Sequence, residues 1–310
     1  MNTKPKVAAI IGPTATGKTG LGIRLAKKWG GEIISGDSML VFRRMDIATA
    51  KPTPEELAEV PHHLVDILEP SEKYSVVAFQ EQADFWIRDC NRRGVLPILV
   101  GGTGLYCRAL LEHYDFSTVN ESEDLRKELI SYAEENGNVA LHKKLEKLNP
   151  KLAENLKVND RKRIIRAIET TLGGDAAFAR KAAESPYEAV VFGLTMERPV
   201  LYDRINRRVD LMVMQGLFAE TKRLLQEGVP ATCQSMKSIG YRQALQYFQG
   251  ERTKEECINK IKQATRNFAK RQITWYKKMP YIRWLHLSDP VNEAAALKAM
   301  EEVLLQKRFI

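Results

Sequence analysis

The chain has 310 residues, of which 44% are hydrophobic and 28% charged, so it can bury a large core and is predicted to hold about two domains. This composition excludes disordered and fibrous proteins. The net charge of +9 permits an anionic partner such as phosphate or nucleic acid. The longest apolar runs are well short of the roughly 18 residues of a membrane span, and no signal peptide is recognised, so we expect a cytoplasmic protein without membrane contact.

The first 115 residues alternate between predicted strands and helices, which is typical of an α/β fold with a parallel sheet. A β-branched run predicts a strand at 7–11, followed by a Gly-rich turn and a helix at about 19–29. Further along, the pattern predicts strands at 32–35 and 95–100, with a Pro-rich loop and a helix at about 76–93 between them. Two strand ends and one helix N-terminus are therefore expected to converge.

From about residue 116 to 188 the alternation is replaced by charged sequence with helical periodicity. Strand character returns at 189–194, and the remaining sequence is predicted to be helical apart from a short strand at 281–287. We therefore predict a discontinuous core, 1–115 plus 189–310, with a P-loop-like parallel sheet flanked by helices. Residues 116–188 are predicted to form a helical insertion domain.

A phosphate-binding loop is the strongest chemical signal in the sequence. The motif G-x-x-x-x-G-K-[ST] lies between the first predicted strand and helix, as such a loop requires. Its main-chain amides can surround phosphate oxygens, its lysine adds a positive charge, and its last hydroxyl can ligate Mg²⁺. The alternative, a chance Gly-rich turn, fits this context poorly. The loop residues are Gly12, Pro13, Thr14, Ala15, Thr16, Gly17, Lys18 and Thr19.

Asp37 is the acidic residue that we expect nearest to this loop. Hydrolytic and kinase P-loop proteins usually carry an acidic residue at the end of another strand, but here the strand at 95–100 is followed by Gly101-Gly102-Thr103. Taken alone, Asp37 could cap the turn that follows it, and Thr103 could cap a helix at 105–111. Their joint placement beside a phosphate loop favours a functional role for both.

Basic residues are concentrated near the C-terminus, where ten lysines and arginines face three glutamates between residues 251 and 284, with aromatic residues interleaved. A solvated charged helix is one interpretation, and an RNA-binding surface that contacts phosphates and stacks on bases is the other, which the aromatic residues favour. A shorter basic cluster spans 159–163. Arg204, Arg207 and Arg208 recur at helical spacing, where salt bridges with Asp203 and Asp210 are the simpler interpretation.

Seven sequence blocks between residues 12 and 275 resemble the tRNA dimethylallyltransferases, also called isopentenyl-tRNA transferases, of the bacterial type. Two positions depart from the family pattern: Leu40 stands where a glutamine is usual, and Ala48 where a glycine is usual. The blocks are GPTATGKT at 12–19, DSM at 37–39 with MDI at 45–47 and TAKP at 49–52, PHHLVDI at 61–67, GGTGLY at 101–106, ND at 159–160 with RIIRAIE at 163–169, IGY at 239–241, and TR at 265–266 with AKRQ at 269–272 and TW at 274–275.

The resemblance implies transfer of a dimethylallyl group from dimethylallyl diphosphate to the exocyclic N6 amine of the adenosine immediately 3′ of the tRNA anticodon. The adenine amine is a poor nucleophile, so a carboxylate that accepts one of its protons would help, and Asp37 is the candidate general base, with Thr103 expected to orient Asp37 or the diphosphate. The resemblance further implies that Arg208 joins the P-loop in binding the diphosphate. Mg²⁺ is the expected cofactor, with Thr19 as a ligand. The implied tRNA contacts are Asp37, Ser38, Met39, Leu40, Thr103, Arg126, Asn159, Asp160, Arg161, Lys162, Arg163, Lys270, Arg271, Gln272 and Trp275.

Two other functions use the same loop: a small-molecule or nucleoside kinase that binds ATP, and an RNA-binding ATPase without transferase activity. The absence of an acidic residue after the strand at 95–100 and the family blocks disfavour both. Whether ATP binds the loop as a diphosphate mimic is left open. A monomer is expected.

Overall fold

A computed structural model describes residues 4–116, 123–174, 179–182 and 184–310. The strands are β1 (Lys6–Ile11), β2 (Glu32–Ser35), β3 (His62–His63), β4 (Pro97–Gly101), β5 (Tyr114–Phe116), β6 (Ala179–Lys181), β7 (Glu188–Thr195) and β8 (Ile282–His286). Six of them form one parallel sheet in the order β3-β2-β4-β1-β7-β8. The carboxyl ends of β2, β4 and β1 are therefore neighbours, and this edge is where loops of α/β proteins bind ligands.

Helices cover both faces of this sheet. In chain order, the α-helices of the described residues are α1 (Lys18–Trp29), α2 (Pro54–Glu59), α3 (Val76–Arg92), α4 (Gly104–Leu111), α5 (Glu123–Leu148), α6 (Pro150–Glu154), α7 (Arg161–Leu172), α8 (Arg198–Met214), α9 (Leu217–Gln226), α10 (Tyr241–Phe248), α11 (Lys254–Tyr276) and α12 (Glu293–Gln306). Of these, α5, α6 and α7 belong to a second compact unit with a core of its own. Among the described residues, none of these helices is long and apolar enough to cross a membrane.

The central strand β1 is buried on both faces, because its side chains alternate between two cores. Val7, Ala9 and Ile11 pack with apolar residues of α3 and α4, whereas Ala8 and Ile10 pack with those of α1, α8 and α12. This arrangement explains the continuous apolar run in the sequence, which is typical of parallel strands covered on both sides. The predicted α/β fold with a P-loop-like sheet is confirmed.

The chain divides into two compact units: Met1–Leu111 together with Ser185–Ile310, and Glu112–Glu184. The prediction placed the insertion at 116–188, a range whose residues 117–122, 175–178 and 183 lie outside the described part of the chain. The observed unit begins and ends four residues earlier. At its start, Tyr114–Phe116 pairs in antiparallel register with Ala179–Lys181, so these short strands belong to the insertion.

The insertion unit was expected to be helical throughout, and the β5–β6 pair corrects that expectation, because strands of three residues are too short to produce a recognisable alternation. Helices α5, α6 and α7 pack around a core of their own that includes Leu129, Leu141 and Ile164. Within α5 the backbone is non-helical at Gly137, where φ is 80°.

Two elements of the sheet unit were missed by the sequence prediction, which placed a Pro-rich loop there. They are α2 and the short strand β3. The side chain of Thr53 accepts a hydrogen bond from the amide of Glu56, whose carboxylate accepts one from the amide of Thr53, while Pro54 occupies the first helical position. Threonine, proline and glutamate at these positions form a capping box, which is a sequence signal that could have identified α2.

Candidate functional site

The phosphate-binding loop lies between β1 and α1, and its lysine is held by a main-chain oxygen. Gly17 has a φ of 89°, a conformation that glycine adopts without strain, and it precedes the first turn of α1. Lys18 Nζ donates to the carbonyl of Pro13 over 2.6 Å, and Thr16 Oγ1 donates to the same oxygen over 2.9 Å. These hydrogen bonds hold the Lys18 ammonium against the main chain of the loop.

The ends of β2 and β4 approach each other closely beside this loop. A Cβ atom added to Gly101 would lie 2.6 Å from the carbonyl oxygen of Gly36, so a larger residue at Gly101 would clash with main chain. The amide of Thr103 donates to the carbonyl of Gly36 over 3.2 Å. This close approach brings Asp37, which follows β2, next to the segment that follows β4.

Asp37 caps the turn that follows it and also lies within the charged centre of the site. Its Oδ1 accepts a hydrogen bond of 2.8 Å from the amide of Met39, so the capping interpretation is geometrically correct. Burial raises the pKa of the Asp37 carboxyl, while the Met39 amide and the charges of Lys18 and Arg208 act in the opposite direction. The Asp37 carboxyl can therefore cap the turn and also interact with the charged groups of the site.

The cations of the site lie close enough to perturb each other. Burial together with the nearby Arg208 charge lowers the pKa of Lys18 to about 8, and Asp37 opposes this shift. Burial also lowers the pKa of Arg208, which Asp37 again opposes. An unbalanced concentration of positive charge around one carboxylate is suited to binding a polyanion.

Thr103 contacts the residue next to Asp37. Its Oγ1 accepts from the amide of Ser38 over 3.0 Å and lies 3.3 Å from Ser38 Oγ, to which it can donate. Among the described residues, Thr103 forms no hydrogen bond with Asp37 itself, so any orienting effect on Asp37 passes through Ser38. Helix α4 begins at Gly104, and the carbonyl of Thr103, not its side chain, accepts from the amide of Cys107.

A cavity of about 460 Å³ opens at this edge of the sheet, and P-loop residues lie in its wall together with Asp37 and Thr103. Apolar side chains from α8 and α11, among them Ile205, Val209 and Phe268, form another part of the wall. Leu40 also lines the cavity, so the departure from the family glutamine changes a polar wall position to an apolar one. The cavity thus combines charged groups with an apolar surface.

A second cavity of about 510 Å³ lies beside α2 and the start of α1. Its wall shares Thr19, Ala50, Arg208 and Met212 with the first cavity. The P-loop threonine and Arg208 are therefore accessible from two cavities.

The first cavity offers the Asp37 carboxylate with the hydroxyls of Thr19, Ser38 and Thr103, a set of hard oxygen donors that suits Mg²⁺.

Three arginines on α8, Arg204, Arg207 and Arg208, have different partners. Arg208 Nη1 lies 3.4 Å from Thr14 Oγ1, and Nη2 lies 3.5 Å from the carbonyl of Ala50, so Arg208 faces the P-loop. Arg207 pairs with Asp203 and with Asp289. Arg204 pairs with Asp289 and donates to the carbonyl of Ala15 over 2.9 Å, a P-loop contact that the sequence prediction missed.

Gln272, a predicted tRNA contact, is 3% exposed, and both polar atoms of its side chain form hydrogen bonds within the protein. Its Oε1 accepts from the amide of Thr14 over 2.9 Å, and its Nε2 donates to the carbonyl of Gly102 over 2.7 Å. Gln272 therefore joins α11 to the P-loop and to the segment after β4. No spacing in the sequence indicated this contact.

The neighbours of Gln272 on α11 differ in exposure. Lys270 and Arg271 are exposed, and the Arg271 guanidinium lies 5.8 Å from the centre of the Phe268 ring. Trp275 is half-buried and packs against Gly104, where a Cβ atom would lie 3.0 Å from the Trp275 Cβ. Lys270 and Arg271 are thus placed as an RNA-binding surface requires, whereas Trp275 also packs within the protein.

Glu220 on α9 is a buried carboxylate that the sequence prediction did not identify. It accepts hydrogen bonds from the amides of Asp46, Ile47 and Ala48 and from the hydroxyl of Tyr241, the last over 2.6 Å. The segment it holds continues into Ala48, Thr49 and Ala50, which line the first cavity. Glu220 therefore holds in place the segment that leads into one wall of the first cavity.

In the insertion unit, two of the predicted tRNA contacts are used within the unit itself. Arg126 donates two hydrogen bonds to the buried carboxylate of Glu169, over 2.9 and 2.7 Å. Arg161 donates to Asn138 over 2.9 Å. Asp160 precedes α7 without a side-chain capping bond, and the exposed residues of this cluster are Asn159, Lys162 and Arg163.

His62 and His63, from the PHHLVDI block, form β3 at one edge of the parallel sheet. His63 and Cys90 both contact Glu32, and the three side chains lie close enough to hold a metal ion. Arg93, however, donates two hydrogen bonds to Glu32, over 2.6 and 2.7 Å, and lowers the pKa of that carboxyl to about 2. The Arg93 guanidinium therefore already neutralises the Glu32 carboxylate, which a metal ion would need as a ligand.

The parallel sheet, the loop between β1 and α1 and the cations around Asp37 define a P-loop protein whose site is suited to binding a polyanion. A family model described as IPP transferase matches residues 40–279, and one described as isopentenyl transferase matches residues 5–66. The chain therefore belongs to the IPP transferase family, and the resemblance inferred from the sequence blocks is confirmed.

Individual relatives are similar in sequence to this protein over nearly the whole chain. The tRNA dimethylallyltransferase of Carboxydothermus hydrogenoformans is 48% identical over 96% of this chain and 97% of its own length. That of Halalkalibacterium halodurans is 47% identical, covering 92% of each chain. The crystal structure of a tRNA isopentenylpyrophosphate transferase from Bacillus halodurans superposes with a TM-score of 0.75 at 45% identity, covering 98% of this chain and 97% of the other.

A eukaryotic dimethylallyltransferase, described as acting on tRNA, superposes with a TM-score of 0.71 at 28% identity. The match covers 91% of this chain and 73% of that one. The shared fold therefore extends beyond bacterial relatives.

Proposed function

We propose that this chain transfers a dimethylallyl group from dimethylallyl diphosphate to the exocyclic N6 amine of the adenosine immediately 3′ of the anticodon in tRNA. The observation that carries this proposal is the placement of Asp37 in one cavity with the P-loop cation Lys18 and with Arg208. This arrangement provides a proton acceptor beside groups that stabilise a leaving diphosphate.

In the proposed reaction a bond forms between the adenine nitrogen and the first carbon of the prenyl group, while the bond from that carbon to the diphosphate oxygen breaks. Charge develops on the departing diphosphate, which the loop amides, Lys18 and Arg208 are positioned to stabilise. Asp37 accepts a proton from the adenine nitrogen. No attacking water is required, which agrees with the lack of an acidic residue directly after β4.

Mg²⁺ is part of the proposal. The Thr19 hydroxyl, at the first turn of α1, would serve as one of its ligands. When bound, the ion would reduce the charge on the diphosphate leaving group. The apolar wall formed by Ile205, Val209 and Phe268 is suited to the prenyl tail and to excluding water from it.

The exposed residues Lys270 and Arg271 support tRNA as the acceptor, together with Lys162 and Arg163 of the insertion unit. A base can enter a cavity of this kind only after leaving its stack in the anticodon loop, which an unpaired nucleotide does at low cost. We further propose that the protein acts in the cytoplasm as a monomer.

The test is incubation of the chain with radiolabelled dimethylallyl diphosphate and unmodified tRNA, with a parallel reaction that contains γ-labelled ATP. We expect label to enter tRNA only from the prenyl donor, and digestion to nucleosides should yield N6-dimethylallyladenosine. Transfer of phosphate from ATP, or ATP hydrolysis that tRNA stimulates without prenylation, would favour the kinase or ATPase functions instead.

A further inference from the structure

One carbonyl oxygen of the phosphate-binding loop is held by an arginine from α8. Arg204 Nε donates to the carbonyl of Ala15 over 2.9 Å, across 189 residues of sequence. Ala15 has a φ of 66°, which lies in the left-handed region that residues with side chains seldom adopt. Such a backbone conformation persists only where neighbouring groups hold it, and the hydrogen bond from Arg204 helps to hold this one.

The same hydrogen bond sets the direction of the next main-chain amide. In a trans peptide the carbonyl and the following N–H point in opposite directions, so the Thr16 amide points away from Arg204. Thr16 is fully buried, and within the part of the chain that the structure describes its amide has no hydrogen-bond partner. A buried amide of this kind is costly unless a ligand accepts its hydrogen bond. The Thr16 amide is therefore available to an anion in the loop.

Asp289, in the segment between β8 and α12, holds Arg204 in this orientation. Its Oδ1 accepts from Arg204 Nη1 over 2.9 Å, and its Oδ2 accepts from Arg207 Nη2 over 3.0 Å. Because a guanidinium is planar and rigid, bonds from Nε to Ala15 and from Nη1 to Asp289 together fix the plane of the Arg204 group. Asp289 itself lines neither cavity.

We propose that Arg204 and Asp289 are positioning residues for binding of the prenyl diphosphate. Asp289 orients Arg204, Arg204 holds the Ala15 carbonyl, and the Thr16 amide thereby faces the diphosphate. The inference rests on the proposed function, in which amides of the P-loop stabilise the leaving diphosphate. A residue from the C-terminal part of the chain, outside both cavities, would therefore help to set the affinity for the donor.

Charge and geometry predict opposite effects for loss of the Asp289 carboxylate. Burial lowers the pKa of Arg208 most, and the charge of Arg204 lowers it further, so the charge of Arg204 reaches the site. Removal of a carboxylate that neutralises Arg204 should, by charge alone, strengthen the binding of an anion. If Asp289 instead acts by orienting Arg204, the same change should weaken that binding.

The test uses Asp289→Asn, which keeps the shape of the side chain without its charge, and Arg204→Lys, which keeps the charge without the guanidinium fork. Asp203→Asn is the control, because Asp203 pairs with Arg207 over 2.5 Å and its side chain is 61% exposed. Calorimetry with inorganic diphosphate and Mg²⁺ at constant ionic strength measures binding without turnover. Transfer kinetics give KM and kcat for dimethylallyl diphosphate, and urea unfolding measures stability.

We expect the Kd for inorganic diphosphate and the KM for the donor to rise on the order of tenfold in both variants, which corresponds to one lost hydrogen bond of a charged group. The kcat at saturating donor and the unfolding midpoint should stay near the wild type. The control should bind diphosphate as the wild type does or slightly more tightly. The double variant should be no weaker than Arg204→Lys, because Asp289 acts through Arg204.

Unchanged or tighter diphosphate binding in Asp289→Asn would overturn the proposal, as would additive losses in the double variant or an equal loss in Asp203→Asn. If Asp289→Asn fails to fold, Arg204→Lys decides, and wild-type binding in that variant also overturns the proposal. A wild-type chain that binds diphosphate with this dependence but transfers no prenyl group would refute the proposed function and support these positioning residues.

Discussion

The side-chain oxygen of Gln272 accepts a hydrogen bond of 2.9 Å from the main-chain amide of Thr14, across 258 residues of sequence. The same side chain donates to the carbonyl of Gly102 over 2.7 Å. A single amide on α11 therefore fixes the phosphate-binding loop relative to the segment that precedes α4. The adjacent Arg271 is exposed and lines the cavity, so one helix carries both a solvent-facing cation and the support of the P-loop.

Gln272→Ala should impair diphosphate use, because it leaves the carbonyl of the buried Gly102 and the amide of the half-buried Thr14 without their partner. Each such group costs about 1–3 kcal/mol, so stability should fall and the KM for dimethylallyl diphosphate should rise, while tRNA affinity changes little. Steady-state kinetics, urea unfolding and tRNA binding measure the three effects. Gln263→Ala, at an exposed position of the same helix, is the control. Weaker tRNA binding with normal diphosphate kinetics would instead support a direct contact with tRNA.

Asp37→Ala should lower the single-turnover rate of prenyl transfer by about 10²- to 10⁴-fold with both substrates still bound, since general-base catalysis contributes that much. Asp37→Asn can keep the acceptor for the Met39 amide, so the turn is retained while the proton acceptor is lost. We therefore expect it to be nearly as slow as the alanine variant. Near-normal rates in Asp37→Asn would make Asp37 a positioning residue.

The same carboxyl predicts a pH dependence. Burial raises the pKa of Asp37, and only the ionised form accepts a proton, so the transfer rate should fall as pH decreases through this raised pKa. In Asp37→Asn this acidic limb should disappear. Single-turnover rates across an acidic pH series measure it, with circular dichroism at each pH to verify that the protein remains folded. An identical acidic limb in both proteins would assign it to another group.

Lys18 should make the affinity for diphosphate depend on pH in the alkaline range. Its pKa in the free protein is lowered to about 8, and a bound diphosphate favours its charged form, so binding takes up a proton once the pH exceeds that value. The Kd for dimethylallyl diphosphate should therefore increase above pH 8, approaching about tenfold per unit for one linked proton. Calorimetry in buffers of different ionisation enthalpy measures the uptake. Lys18→Ala should abolish it, and a flat response in the wild type contradicts the coupling.

Removal of Mg²⁺ should abolish transfer if Thr19 helps to hold the ion. Excess chelator should suppress turnover, and added Mg²⁺ should restore it. Thr19→Ala should raise the Mg²⁺ concentration needed for half-maximal rate, whereas Thr19→Ser keeps the hydroxyl and should stay near the wild type. Full turnover in chelator, or equal behaviour of the two variants, would exclude this role for Thr19.

Glu220→Gln should destabilise the protein and disturb the cavity wall, because an amide cannot replace a carboxylate that accepts from three amides and a hydroxyl. We expect a loss of about 1–3 kcal/mol in unfolding free energy and a higher KM for substrate. Tyr241→Phe removes one donor and should cost less. A double-mutant cycle by urea unfolding should give a coupling energy of about 0.5–3 kcal/mol, and additive effects would show that the pair does not act as a unit.

The sequence by itself determined the features whose signals are local. The phosphate-binding loop is a contiguous motif, and the apolar runs of β1 and β4 identified the parallel sheet because strands buried on both faces are apolar throughout. Asp37 was identified since it follows a strand, and the ends of parallel strands meet at one edge. The short strands β5 and β6 lacked such a signal because three residues are too few to show alternation.

Tertiary structure decided which polar residues serve the site from a distance. Gln272 stood among cations in the sequence and was grouped with them, but the packing of α11 turns its side chain inward to the P-loop. Glu220 lies 174 residues from Asp46, which it supports, and Arg204 donates to the carbonyl of Ala15 across 189 residues. Hydrogen bonds and burial depend on distance in space, and residues so far apart in the chain meet only after the sheet and its helices have packed.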